Sequence, residues 1–136
     1  MRQFEDMDQA YEDYAKSKGM NYLSLVVLEE IYESGEGCTQ KRISDETRYP
    51  KQSVNLTVKS FLDDGYITLE EMPENRRNKR IKLNEKGRRL CEDVIVPLLG
   101  KENAAMDGMS DAERDELARL LGVYCRGYCD RVRELI

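Results

Sequence analysis

The chain has 136 residues, 40% of them apolar and 36% charged, with a formal net charge of −5. That size and balance fit one soluble domain with a real hydrophobic core and exclude a disordered chain. No apolar run approaches the roughly 20 residues of a membrane span, and the acidic start MRQFEDMDQAYEDY lacks a signal-peptide core, so no membrane association and a cytoplasmic location are expected.

In chain order, Phe4, Met7, Ala10 or Tyr11, and Tyr14 recur at helical spacing and predict a first helix over 4–17, ended at Lys18-Gly19. Asn21 is a fitting N-cap for a second helix over 21–34 that turns Leu25, Leu28 and Ile31-Tyr32 to a core and stops at Gly35. Thr39 caps a short helix over 40–47. Pro50 suits the first turn of the next helix, 50–65, and Gly65 is its stop. This helix pair matches a helix-turn-helix.

Beyond Gly65 the apolar period falls from about 3.6 to 2. YITLEE and RIKL read as two strands around the turn-rich MPENRRNK, which makes a basic β-hairpin wing with Arg76 and Arg77 at its tip. Asn84 caps a helix that carries Leu90, Val94 and Leu98, with a bend or an end expected at Gly87 or Pro97. The capping box at Ser110 and Glu113 opens a final helix. Its stripe of Leu117, Leu121, Tyr124, Tyr128, Val132 and Leu135 needs a partner surface, and a second copy of the chain is the natural one.

The charge is segregated. Residues 39–89 hold 13 basic and 8 acidic side chains, whereas 1–38 hold 3 and 9, and 90–136 hold 6 and 10. Residues 75–89 alone hold eight basic side chains, including Lys79, Arg80, Lys86, Arg88 and Arg89, and one acidic one. A solvated charged face does not explain why the signs separate; a polyanion bound by the middle segment does. Basic residues at the start of the helix after the wing oppose the helix dipole, and an external anion would account for them.

On a helical wheel, Val54, Val58, Phe61 and Leu62 form the core face of the 50–65 helix, and Gln52, Asn55, Leu56, Lys59 and Asp63 lie roughly opposite. Gln or Asn can bond bidentately to adenine, a leucine can meet a thymine methyl, and lysine can take a phosphate or guanine. Lys51 and Ser53 near the helix start are placed for phosphates. An ordinary amphipathic helix is the plain alternative, and the basic wing beside it favours double-stranded DNA.

Residues 39–87 resemble the winged helix-turn-helix of MarR-family transcriptional regulators. The resemblance rests on the helix pair, the LDDGYI junction from Leu62 to Ile67, the two wing arginines and the LNEKG that follows. It implies a mainly α fold with a small β-hairpin wing. The winged helix-turn-helix would span 21–99, between interlocking dimerisation helices at 1–20 and 100–136 of one MarR-like domain. It further implies an obligate homodimer on a near-palindromic operator, with Gln52, Ser53, Asn55 and Lys59 facing the major groove and Arg77 at the minor groove. The family's wing commonly reads Asp-x-Arg; here Asn75 stands in the aspartate position. Members often bind small aromatic or phenolic anions between the two regions, while Tyr11, Tyr14 and Tyr32 read as core or dimer contacts.

The expected function is therefore a DNA-binding regulator, a repressor released by a small ligand. The alternatives are a thiol-based redox sensor and a winged-helix module that binds protein instead of DNA. The absence of histidine removes Ser-His-Asp and Cys-His catalysis and mixed Cys/His zinc sites, and neither a phosphate loop nor a paired catalytic motif occurs, so no enzyme, no metal and no cofactor is expected. Cys38 and Cys91 stand far apart from each other and from the pair Cys125 and Cys129, which flanks the final stripe. That pair is expected as two small buried hydrophobes, with an intersubunit thiol switch as the sharper alternative.

Overall fold

The computed structural model describes residues 2–136; the side chain of Arg76 lies outside the described residues. Two compact units divide at Pro97. The first holds α1 (Arg2–Ser17), α2 (Tyr22–Glu33), α3 (Gln40–Thr47), α4 (Lys51–Asp63), β1 (Ile67–Met72), β2 (Asn75–Leu83) and the front of α5 (Glu85–Met106). The second holds the rest of α5 and α6 (Asp111–Arg133).

The helix starts lie where side-chain acceptors stand. Asn21 Oδ1 accepts from the Ser24 amide at 2.7 Å, and Thr39 Oγ1 accepts from the Arg42 amide at 3.2 Å. Ser110 and Glu113 form the reciprocal capping box of α6. The core of the first unit joins Leu25, Val27, Leu28 and Ile31 of α2 to Ile43 of α3, Val54, Val58 and Phe61 of α4, and Ile67 and Ile81 of the strands. On α1, Ala15 is buried while Phe4 and Met7 are exposed.

Phenols tie α1 to its neighbours. Tyr11 donates to Glu29 at 2.8 Å, Tyr14 donates to the Val94 carbonyl, and Tyr22 donates to Asp8 at 3.0 Å. Burial, reinforced by the bond to Asp8, pushes the Tyr22 phenol from 10.0 up to about 12. A group whose folded value is raised stabilises the fold fully below its unfolded value and loses that contribution as pH climbs through the folded one. Stability should therefore decline between pH 10 and about 12, and Tyr22→Phe should flatten that decline in denaturant titrations across the window.

The end of α4 fixes where the wing begins. Gly65, at φ +78°, donates to the Leu62 carbonyl at 3.0 Å, and Tyr66 donates to the Phe61 carbonyl at 3.0 Å. These two bonds form a Schellman motif, and the Phe61 and Tyr66 rings meet edge to face at 6.4 Å as its apolar contact. Leu62 departs from the expected core face: it is 38% exposed, and Thr57 is buried in its place. On the wheel Leu62 and Thr57 flank the Val54, Val58 and Phe61 face on opposite sides, each about 40° beyond it, and the packing covers the Thr57 side. The Thr57 hydroxyl is satisfied by the Ser53 carbonyl at 3.0 Å.

The wing is a two-stranded antiparallel ribbon in which Ile67 pairs with Leu83, Leu69 with Ile81 and Glu70 with Arg80. Met72 then pairs with Asn75, so the tip is Pro73-Glu74. The residues expected at the tip, Arg76 and Arg77, belong instead to an irregular part of β2, where 76–79 lie opposite Glu71 alone. A backbone bridge from Cys38 to Ile81 anchors β2 to the segment before α3.

The helix α5 runs through both Gly87 and Pro97, so neither ends it. Gly87 sits in the first turn, where its amide is capped by Asn84 Oδ1 at 2.8 Å. Pro97 and Asp93, the residue whose carbonyl its missing N–H would have served, are both exposed, so the lost helix bond falls on the solvent side. A second departure concerns the thiols. Cys125 and Cys129 are exposed and Cys38 and Cys91 are buried, because no residue of α6 is buried within the chain. No helix among the described residues is long and apolar enough to cross a membrane.

Candidate nucleic-acid interface

The turn between α3 and α4 is closed without glycine. Arg48 takes the left-handed conformation, φ 64°, and its amide donates to the Ser44 carbonyl at 2.9 Å. Pro50 then occupies the N-cap of α4 and supplies no side-chain acceptor, so the first amides of α4 stay open. An anion is favoured at such an end, and Lys51 stands beside it.

Along the outer face of α4, Lys51, Gln52, Asn55, Leu56 and Lys59 are exposed, with Leu56 at 68%. Lys51, Gln52, Asn55 and Leu56 line one shallow groove with Gln40 of α3. Ser53 is half-buried at the edge of this face. Gln40 was not legible as a site residue from sequence. Its Oε1 accepts from Asn55 Nδ2 at 3.1 Å, which engages one of the Asn55 amide donors and leaves its oxygen available as an acceptor.

Alternation along β2 separates the wing's basic residues. Arg77, Asn78 and Lys79 line a concavity shared with Gln40, Asn55 and Leu69, beside the outer face of α4. Arg80 lies on the other side of the ribbon, with Lys82, Arg88 and the Gly35-Glu36 turn. Asn75, in the position of the expected aspartate, accepts the Arg77 backbone amide at 3.1 Å through Oδ1. It braces the Arg77 main chain and makes no bond to the guanidinium.

Pairing sorts the basic residues further. Among the described residues, Lys51, Lys59, Arg77, Lys79 and Arg80 have no carboxylate within 4.0 Å. Lys82 is paired with Glu70 at 2.8 Å and Arg89 with Glu85 at 3.3 Å. The Lys82 ammonium, with Arg80 nearby, holds the Glu70 carboxyl below its ordinary value. Lys86 needs no external anion, contrary to the sequence expectation. Its ammonium donates to the Asp64 carbonyl at 2.6 Å, at the C-terminal end of α4, and lies 4.5 Å from the Tyr66 ring centre.

The LNEKG segment is the hinge of this arrangement. Asn84 Nδ2 donates to the Gly65 carbonyl at 2.7 Å, and the Asn84 amide donates to the Tyr66 carbonyl at 3.2 Å. A Cβ at Gly87 would lie 2.0 Å from the Tyr66 carbonyl oxygen, so only glycine lets α5 start this close to the α4–β1 corner.

Residues 18–78 match the model of the MarR family. The chain has the winged helix-turn-helix fold of the MarR family. Among curated proteins it is 20% identical over 117 residues to the HTH-type transcriptional repressor YetL of Bacillus subtilis, covering 85% of this chain and 70% of that one. It is 31% identical over 74 residues to the exopolysaccharide II synthesis transcriptional activator ExpG of Rhizobium meliloti, covering 54% of this chain and 38% of that one. The structure of NMB1585, a MarR family regulator from Neisseria meningitidis, superposes with a TM-score of 0.81 at 19% identity, covering 98% of this chain and 94% of that one. That last likeness is one of fold.

Proposed function

We propose that this chain is a MarR-family transcriptional regulator that binds double-stranded DNA as a homodimer, at a near-palindromic operator whose half-sites lie about one helical turn apart, roughly 10 bp. The observation that carries the reading is the open face on which Lys51, Lys59, Arg77 and Lys79, unpaired among the described residues, surround the exposed amides of Gln52 and Asn55. Charge without a partner meets phosphate, and amides with free valences meet base edges. Two copies are supported by α6, whose Leu117, Leu121, Tyr124, Tyr128 and Val132 are all at least 38% exposed within one chain.

Repression is the reading favoured where the operator overlaps a promoter, because a bound dimer then excludes polymerase. Of the two curated relatives, one is named a repressor and the other an activator. The sign is therefore assigned to operator position and is tested with a reporter carrying the operator over or upstream of the promoter. Release by a small aromatic or phenolic effector is the family-based expectation, checked by titrating such anions against the protein–DNA complex.

Two substitutions separate affinity from specificity. Arg77→Ala should weaken binding to every duplex and lower the slope of log K against log salt by about 1.8 for the dimer, the share of one phosphate charge from each subunit. Gln52→Ala or Asn55→Ala should leave that slope in place and relax preference at particular base pairs by about 1–3 kcal/mol. Fluorescence anisotropy across a salt series with matched and mismatched duplexes reads both. An unchanged slope for Arg77→Ala would remove the wing from the interface.

A further inference from the structure

Cys125 and Cys129 are the exposed thiols of the chain, four residues apart on α6, while Cys38 and Cys91 are buried. No disulfide joins them and neither takes part in a hydrogen bond among the described residues. Residues four apart on a helix place their Cβ atoms about 5–6 Å from each other on one face. A disulfide needs about 3.5–4.5 Å between Cβ atoms, so a helix holds this pair too far apart to bond directly. One additional atom between the two sulfurs closes that gap without unwinding the helix.

The nature of that atom follows from the surroundings. Among the described residues, no group of three or more His, Cys, Asp or Glu side chains is placed to hold a metal ion. Zinc, which is held by three or four protein ligands, is not served. Two thiolates alone suit a soft thiophile that is content with two protein sulfurs. We propose that Cys125 and Cys129 form a bidentate site for such a thiophile, of the trivalent-arsenical or two-coordinate soft-metal class.

On the helical wheel the pair lies about 60° and 100° from the centre of the stripe formed by Leu117, Leu121, Tyr124, Tyr128 and Val132. A second copy covering the stripe thus leaves the thiols at its flank. The site is independent of the DNA reading and can be tested on free protein.

The probe is phenylarsine oxide. Two S–H bonds break and two S–As bonds form; the arsenical oxygen leaves as water with the two thiol protons, and arsenic stays trivalent. A disulfide-exchange reagent should titrate two thiols in the native, reduced protein, since burial holds Cys38 above its ordinary value and pushes Cys91 up to about 12. One equivalent of arsenical per chain should remove both. Cys125→Ser or Cys129→Ser should each weaken binding by roughly a hundredfold or more, because the second S–As bond no longer forms within one molecule.

A spacing control keeps two exposed thiols but turns them apart: Cys129→Ser with Asp130→Cys sets them five residues from each other, on different faces. Loss of tight binding there supports the site. Equal affinity in the single variants or in the spacing control would overturn it, as would two thiols still titrating after one equivalent of arsenical. A disulfide-linked dimer on non-reducing gels that persists in the spacing control would assign these thiols to an intersubunit bond instead.

Discussion

Leu117→Lys combined with Leu121→Lys is expected to leave each chain folded, abolish dimerisation at micromolar concentration, and lower operator affinity by at least a hundredfold. The two leucines are each 38% exposed in the single chain, so replacing them creates no cavity in the chain itself. What they lose is the area a second copy would cover, about 1–2 kcal/mol for each leucine. A symmetric pair presents every residue twice, so the loss is about 4–8 kcal/mol of association free energy, enough to move a stable dimer to monomer. A monomer reaches one half-site only, which removes the gain from engaging two at once. Sedimentation velocity and anisotropy on a two-half-site duplex measure the two effects separately. A variant that stays dimeric would place the interface elsewhere, and a monomeric variant with full operator affinity would dissociate dimerisation from DNA binding.

Gly87→Ala should cost about 2–3 kcal/mol of stability, near the upper end for an added methyl group in a packed site. The neighbour it meets is the Tyr66 carbonyl oxygen, 2.0 Å from the new Cβ, with the Leu83 Cδ2 at 3.0 Å. A backbone oxygen cannot rotate away as a flexible side chain can. Relief requires α5 to withdraw from the corner, which stretches the Asn84 bonds to Gly65 and Tyr66 and the Lys86 bond to Asp64. The melting temperature should fall by roughly 10 °C, at about 4 °C per kcal/mol for a chain of this size. Because the same corner sets the wing against α4, DNA affinity should fall even at temperatures where the variant remains folded. Gly100→Ala, at a helical position with no atom within 4 Å of the new Cβ, is the control and should be neutral or stabilising. Equal melting temperatures for the two variants would contradict the role given to Gly87.

The sequence displayed the helix-turn-helix because its punctuation is local. Asn21, Thr39, Ser110 and Gly65 act on amides or carbonyls within a few residues, so their chemistry is written beside their effect. The recognition-helix face was legible for the same reason, since periodicity alone assigns Gln52, Asn55, Leu56 and Lys59 to one side. Features that depend on distant partners were not. Lys86 reads as a cation at a helix start, but its partner is the carbonyl of Asp64, which only the packed corner supplies. Gln40 carries no signal until α3 brings it to Asn55. The wing tip was misplaced because three residues of β2 are taken up by a register irregularity that alternation does not reveal. The exposure of Cys125 and Cys129 is not written in the sequence, because a stripe tells which way a helix faces and says nothing about whether one chain supplies the cover.

The central claim is that the open face of α4 and the Arg77 side of the wing read duplex DNA. Selection from a random duplex library, followed by anisotropy titration of the enriched sequence across a salt series, tests it most directly. The account predicts an enriched near-palindrome with half-sites about 10 bp apart and a salt slope of several units, reflecting several phosphate contacts by the dimer. Weak binding with no enriched sequence, from reduced, dimeric protein, would contradict it and assign the winged helix to a protein partner.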